Sequence, residues 1–512
     1  AVGLHSMVTP SGYDFSAYRA SLGRNWYLED DLLQRILARL APAAARASES
    51  LLVDFGARAA GLYAALADAA ESPEKLPSIS RKDPYGVRHD AARIPPETLR
   101  MLAEQHGACL AGGGLDDLVR YAVLFVLAQN GEAGTLCSLA CTDGLIRALR
   151  ELGDDLRSRR VLEQLLHNAP ERWVHGAQFV TEVQGGSDAA TNALLAVPAA
   201  DGLYHLFGEK WFCSNCTADY WLITARPQGA PQGTRGVALF VVPRLREDGS
   251  PNGYAIDRLK EKYGTRALPT AEIAFDAAEG WMLGAPEAGL KNMVAIVLVT
   301  SRIFNALGSA GLLRGASRIA SAYCGFREAF GTRIDRMPLV ADALARIQRA
   351  SDLAVAGAFE TIHLWLAHAP NGRTLADIAS RVHVSIAKAV STRSAQQHVY
   401  EAMVLLGGNG IEERFSALPR LLRDAAIFET WEGPYTLLLM QALGDLARFE
   451  VRGREMAFFE AVWPAPELPA DLVAKLCEVL GDPESEKSAL RFREFAQDYY
   501  DAYQRAALEH YA

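Results

Sequence analysis

The chain has 512 residues, 50% of them hydrophobic and 22% charged, with a formal net charge of −9. That is the balance of an ordinary globular protein with room for two to four structural units. An acidic chain gives no general reason to approach nucleic acid or an anionic membrane, and no run approaches 18 consecutive apolar residues, so no membrane span is expected.

The opening stretch, AVGLHSMVTPSG, has neither a basic start nor a long apolar run and does not read as a signal peptide; Met7 reads as the natural first residue, with residues 1–6 added ahead of it. Residues 32–165 are rich in Ala, Leu and Arg, with apolar positions recurring at spacings of three and four, which predicts helices. A Pro- and Ser-bearing break at 72–96 interrupts them. The glycines of CLAGGGLDD suggest a dinucleotide loop, but a preceding strand and the G-x-G-x-x-G spacing are missing, and that reading is rejected. These helices form an N-terminal domain with an extension, residues 1–170.

Residues 171–285 change character. AQFVTEV, LYHLFGEKWFCS, DYWLITAR, GVALFVVPR and TAEIAFD are short β-rich runs divided by turn residues, and they predict a β-barrel-like domain. The helical pattern returns over 286–443 in four segments, 290–330, 340–369, 375–406 and one after Gly433, a number suited to a four-helix bundle. A Pro-broken helical tail fills 444–512. The class is therefore α+β, since helices, strands and then helices exclude a doubly wound α/β fold. Seven scattered cysteines fit a reducing cytoplasm better than a disulfide framework. CSNC at 213–216 lacks a second Cys/His pair at zinc spacing, and the eleven histidines are dispersed, so no metal is expected.

One acidic position stands out. In RDAAIFETWEGPYTLLLMQAL, residues 423–443, Glu432 lies beside Gly433 in a run otherwise ready for burial. A carboxylate there must be paired, protonated or exposed at a helix start, because bare burial costs several kcal/mol. The local reading alone leaves the helix start open, with Pro434 near the first turn.

Three separated segments carry a resemblance: FVTEVQGGSD (179–188), GEKWFCSN (208–215) and LLGGNGIEERFSALPRLLRDAAIFETWEGP (405–434). Together they resemble the FAD-dependent acyl-CoA dehydrogenase family over about residues 91–443. EAGTLC, RLKEKYGTR, EGWMLG, the Trp of TWEGP and the extra tail look most like its AidB-type branch. The resemblance implies α,β-dehydrogenation of an acyl thioester, acyl-CoA or carrier-bound. Glu432 would take the α-proton, a hydride would pass to flavin N5, and an acceptor such as an electron-transfer flavoprotein would take the electrons onward. It implies that Phe179, Val180, Thr181, Gly186, Ser187, Trp211, Phe212, Ser214, Trp431 and Gly433 surround FAD, while Arg327, Phe330, Leu405, Gly407 and Gly408 complete the FAD site of a neighbouring subunit in a homodimer or homotetramer. Ser187, Ser301, Arg302 and Gly433 would face the substrate. Ser301 stands near the place where some members carry the base instead, and it cannot serve as one. Ala329, Val404 and Pro434 depart from the residues usual in the family; each removes a hydrogen bond, which implies a weaker hold on FAD.

Two other readings are weighed. An AidB-like flavoprotein binding nucleic acid through its tail would want a basic stripe, but residues 444–512 hold eight Lys or Arg against fourteen Asp or Glu. A nitroalkane-oxidising relative is expected to use Asp as base, which Glu432 argues against. A catalytically silent scaffold is disfavoured by the intact Glu432.

Overall fold

The computed structural model describes residues 14–22, 24–110, 114–167, 172–368 and 372–511. The expected start at Met7 lies outside them, as do Gly112 and Gly113 of the rejected glycine run. The N-terminal domain is built on two helices, Asp117–Ala128 and Ala133–Leu152. Asp116 and Glu132 cap them by accepting backbone N–H bonds in the first turn. The first helix is apolar nearly all round and buried to match. Within the expected break runs a hairpin, β1 (Ser78–Lys82) and β2 (Arg88–Arg93). Its period-2 signal is hidden because most of its side chains are exposed and polar.

The middle domain has seven strands: β3 (Gly176–Phe179), β4 (Leu195–Pro198), β5 (Leu203–Ser214), β6 (Tyr220–Pro227), β7 (Ala238–Pro243), β8 (Tyr254–Leu259) and β9 (Thr270–Met282). The order is β3-β6-β4-β5-β9-β7, and β6 also pairs with β7, so the sheet closes on itself. Closure of β6-β4-β5-β9-β7 leaves β3 and β8 paired on one side only and encloses one inner face, filled by Phe179, Trp221, Phe240, Ile273 and Phe275. β4 and β8 are additions to the sequence reading. Both are short and pair with the long strands β5 and β9.

The C-terminal domain is wrapped around one helix, Val299–Phe326, which continues a wide turn at Met293–Leu298 and is buried along nearly its whole length. Among the described residues two helical runs, Glu49–Ala70 and Pro286–Phe326, are long and apolar enough to cross a bilayer by length and composition alone, and 89% of the most apolar 18-residue stretch of the second is buried in protein. The second run is the core of a helical domain, whose small residues admit neighbours closely: a Cβ on Gly311 would come within 2.6 Å of Ala128. Against it pack Pro338–Leu366, Leu375–Leu405 and a shorter helix, Leu418–Thr430, which the four-segment reading did not separate, while Tyr435–Arg448 packs on Leu375–Leu405.

The tail folds as Glu455–Val462, Ala470–Leu480 and Glu486–His510. Its last helix packs an aromatic row, Phe492, Phe495, Tyr499, Tyr500 and Tyr503, against the Leu375–Leu405 helix. At the seam His383 is fully buried, with Nδ1 2.7 Å from the Tyr499 hydroxyl and Nε2 2.9 Å from Thr361 Oγ1. Burial pushes its pKa from 6.5 down to about 3, so the ring is neutral. A depressed histidine pKa gives stability that is complete above pH 6.5 and is lost as pH falls toward 3. The unfolding free energy of the wild type should therefore fall relative to that of His383→Gln between pH 6.5 and 4.5, by up to roughly 1.4 kcal/mol per pH unit, seen as a changing gap between their thermal midpoints. A gap between the two midpoints that stays constant over that range would contradict a neutral buried ring.

Candidate active site

The Leu418–Thr430 helix ends just before Trp431, and the next helix begins after Pro434. The turn between them is tight: Glu432 has φ +51° and Gly433 φ +106°. The first value is unusual for a residue with a side chain and the second suits only glycine. Two buried cations hold the turn open in this shape. Arg302 Nε donates to the Glu432 carbonyl at 3.2 Å, and its other nitrogens reach Ser385 Oγ (3.1 Å) and Gln441 Oε1 (2.9 Å). Lys388 Nζ donates to the carbonyls of Gly433 at 2.8 Å and Glu429 at 3.1 Å.

The Glu432 carboxylate accepts a 2.7 Å bond from Asn305 Nδ2 and lines a small cavity with Leu136, Cys137, Cys141, Phe304, Phe428 and Trp431. Burial raises its pKa, and the Asn305 bond, Lys388 and Arg302 pull it back down. A carboxylate of raised basicity facing an apolar cavity can take a proton from a weak carbon acid. Glu429, the other acid nearby, is held by Arg393 at 2.7 and 2.9 Å and takes no part in the cavity lining.

The barrel presents a separate wall, none of whose described residues lines the cavity. Gln178 Nε2 donates to Ser301 Oγ at 3.1 Å, tying β3 to the core helix one turn before Asn305, and Ser301 is thereby buried. The Trp211 amide donates to the Thr181 carbonyl at 2.9 Å, so the two motif segments FVTEVQGGSD and GEKWFCSN lie side by side. Beneath them, buried Lys210 bonds the Val180 carbonyl (3.0 Å) and Glu182 (2.7 Å). A Cβ on Gly186 would come within 2.9 Å of Thr181 Oγ1, so the glycine pair folds the chain closely over Thr181 and leaves Ser187 exposed. Phe212 is 50% exposed, whereas Trp211 is half-buried with Lys260 Nζ 3.7 Å from its ring centre. Ser214 Oγ bonds Thr270 Oγ1 at 3.0 Å. Phe179 does not join this wall. Its side chain lies inside the barrel 5.3 Å from Trp221, since alternation along β3 points it inward, and only its backbone could touch a cofactor. The exposed Phe212 ring and the half-buried Trp211 beside the Thr181 backbone fit a flat heteroaromatic ring of the flavin type.

The remaining predicted residues are elsewhere. Arg327 follows the far end of the core helix, 22 residues or about 33 Å from Asn305. Phe330 is 98% exposed at φ +53°. Leu405, Gly407 and Gly408 share that end, where Asn409 Nδ2 donates to the Tyr323 hydroxyl at 2.9 Å. Two residues of the site were not read from the sequence. Asn305 lies one helical turn beyond Arg302 and so on the same face, which is a usable signal. Lys388 is a single cation among the apolar residues of VSIAKAV, which is a weaker one. Cys213 and Cys216 are buried with the barrel core.

Comparison with known proteins gives three family matches in chain order. Residues 19–169 match the adaptive response protein AidB N-terminal domain, 177–278 the acyl-CoA dehydrogenase middle domain and 287–443 the acyl-CoA dehydrogenase C-terminal domain. The chain is 31% identical over 442 residues to acyl-CoA dehydrogenase family member 11 of Caenorhabditis elegans, covering 82% of this chain and 70% of that protein. It is 31% identical over 434 residues to the putative acyl-CoA dehydrogenase AidB of Escherichia coli, covering 78% of each. Among solved structures, Bd2924 in its apo form superposes with a TM-score of 0.87 at 28% identity over 95% of this chain and 98% of that one. Caenorhabditis elegans ACDH-11 in complex with C11-CoA superposes with a TM-score of 0.76 at 24% identity over 93% of this chain and 91% of that one. The chain belongs to the acyl-CoA dehydrogenase family of FAD-binding oxidoreductases, with the N-terminal domain of its AidB-like members.

Proposed function

We propose that the protein removes hydrogen from the α and β carbons of an acyl thioester, acyl-CoA or a carrier-bound acyl group, with Glu432 as the base that takes the α-proton. The observation that carries this reading is the Glu432 carboxylate itself, set at the cavity by Asn305, with burial raising its basicity. FAD, when bound, supplies the acceptor for the hydride. The chain's own residues do the rest. Leu136, Phe304 and Phe428 keep water from the carboxylate. Thr181, Gly186, Ser187, Phe212 and Ser214 offer one wall for the flavin, and Trp431 and Gly433 the other. Arg302 fixes the turn that aims the base.

Arg327, Phe330, Leu405, Gly407 and Gly408 lie too far along the core helix to serve the site of their own chain, which supports their serving that of a second copy in a homodimer or homotetramer. An electron-transferring flavoprotein as the onward acceptor completes the proposal. Seven unbridged thiols suit a reducing compartment such as the cytoplasm. A nucleic-acid role for the tail finds no support in its acidic balance or in an aromatic face turned toward the bundle.

Glu432→Gln keeps the size of the side chain but cannot accept a proton near neutral pH. The variant should bind FAD and acyl-CoA, yet reduction of its flavin by acyl-CoA should slow by roughly 10²–10⁴-fold in stopped-flow absorbance, the range for losing a general base. Glu429→Gln should leave that rate within a few-fold of normal, and near-normal reduction by Glu432→Gln would sink the assignment. Arg327→Ala should lower both FAD content, read from the visible absorbance, and the fraction of oligomer seen by light scattering. A wild-type monomer with full FAD occupancy would refute the two-subunit site.

A further inference from the structure

Beneath the Glu432 turn lies a second ionisable group that the reaction as described does not use. Lys388, midway along the Leu375–Leu405 helix, is fully buried between Ala387 and Ala389. Lysine is almost never buried this way without an ion-pair partner. Among the described residues no carboxylate pairs with Lys388; its ammonium donates instead to the carbonyls of Gly433 and Glu429, which bracket Glu432 in the chain. An apolar residue of similar length would fill the same volume without the desolvation cost. The two carbonyls give the fold a reason for a donor at this point, but not for a full charge, since a neutral amide could donate to them as well.

We propose that Lys388 is a positioning residue for proton abstraction: together with Arg302 it pins the Trp431–Gly433 turn, and it sets a positive charge beneath the buried Glu432 carboxylate. This rests on the reading of Glu432 as the base. The pinning acts on conformation. With φ positive at both Glu432 and Gly433, a released turn would relax toward the ordinary extended or right-handed regions and carry the carboxylate away from Asn305.

The second action is electrostatic. Burial favours the protonated acid, which cannot accept a proton, and a nearby positive charge opposes it. The groups facing Glu432 come from five helices. Arg302 and Asn305 lie on the core helix and Lys388 on Leu375–Leu405. The thiols of Cys137 and Cys141 lie on Ala133–Leu152. Glu429, neutralised by Arg393, ends Leu418–Thr430, and Asp445 on Tyr435–Arg448 acts on Arg302. Among the described residues, Lys388 and Arg302 bring positive charge to bear on the carboxylate. The influence is mutual: burial lowers the pKa of Lys388, and Glu432 raises it again.

Two variants separate the actions. Lys388→Met removes both charge and donors, and Lys388→Gln removes the charge while keeping donors. Two readouts are used on the FAD-loaded protein. One is the pH profile of flavin reduction by acyl-CoA in a single turnover. The other, independent of turnover, is the infrared carboxylic-acid band of Glu432, assigned by its loss in Glu432→Gln and titrated without substrate. In both variants the acid limb of the profile and the midpoint of the band should move to higher pH by about one unit. The plateau rate should fall at least tenfold in Lys388→Met and recover in part in Lys388→Gln. If limb and band stay in place in both variants while only thermal stability changes, Lys388 is a packing residue and the proposal is overturned. If Lys388→Met does not fold, Lys388→Gln alone decides by the same limb and band. Failure of the underlying reading shows separately, as normal flavin reduction in Glu432→Gln.

Discussion

A carboxylate held out of water must be supported on every side, and the C-terminal domain is arranged around that requirement. Glu432 cannot rest in a regular helix, where its backbone would be satisfied but its side chain would be fixed by the helical repeat. It sits in a three-residue turn whose carbonyls are claimed by Arg302 and Lys388 and whose carboxylate is claimed by Asn305. Those three residues come from two long helices that pack against each other. Position and basicity are thus set by groups distant in sequence, and a small displacement of either helix would alter both.

The same turn is tied to the barrel by a separate route. The loop after β8 presses onto the Leu418–Thr430 helix so closely that a Cβ on Gly264 would overlap the Arg423 carbonyl oxygen. Next to it the Thr265 amide donates to Asp424 Oδ1 at 2.6 Å. With the Gln178–Ser301 bond on the other side, the barrel is anchored both to the helix that ends at the Glu432 turn and to the helix that bears Arg302 and Asn305. The wall that fits a flavin and the turn that holds the acid are therefore held in one frame, although 250 residues separate Thr181 from Trp431.

How far this could be read from the sequence follows from which interactions are local. β5 and β6 lie within or beside runs of alternating or continuous apolar residues, so pattern alone reveals them. β4 and β8 are four and six residues long and exist as strands because β5 and β9 offer them partners. Glu432 was visible as an acid out of place in an apolar run. Lys388 was not, because helical periodicity tells that a position faces inward but not that a carbonyl waits there. Phe179 illustrates the converse. A motif marks its segment as part of the site, while the pleat of β3 sends this one side chain into the barrel.

The seam between tail and bundle has a consequence for the site itself. His383 and Lys388 are five residues apart on one helix, about 7.5 Å along its axis and roughly 140° around it. The tail's aromatic row covers one flank of that helix and the Glu432 turn lies on another. The tail thus keeps water off the back of the helix, and in such a medium of low polarity every charge interaction of Lys388 is strengthened.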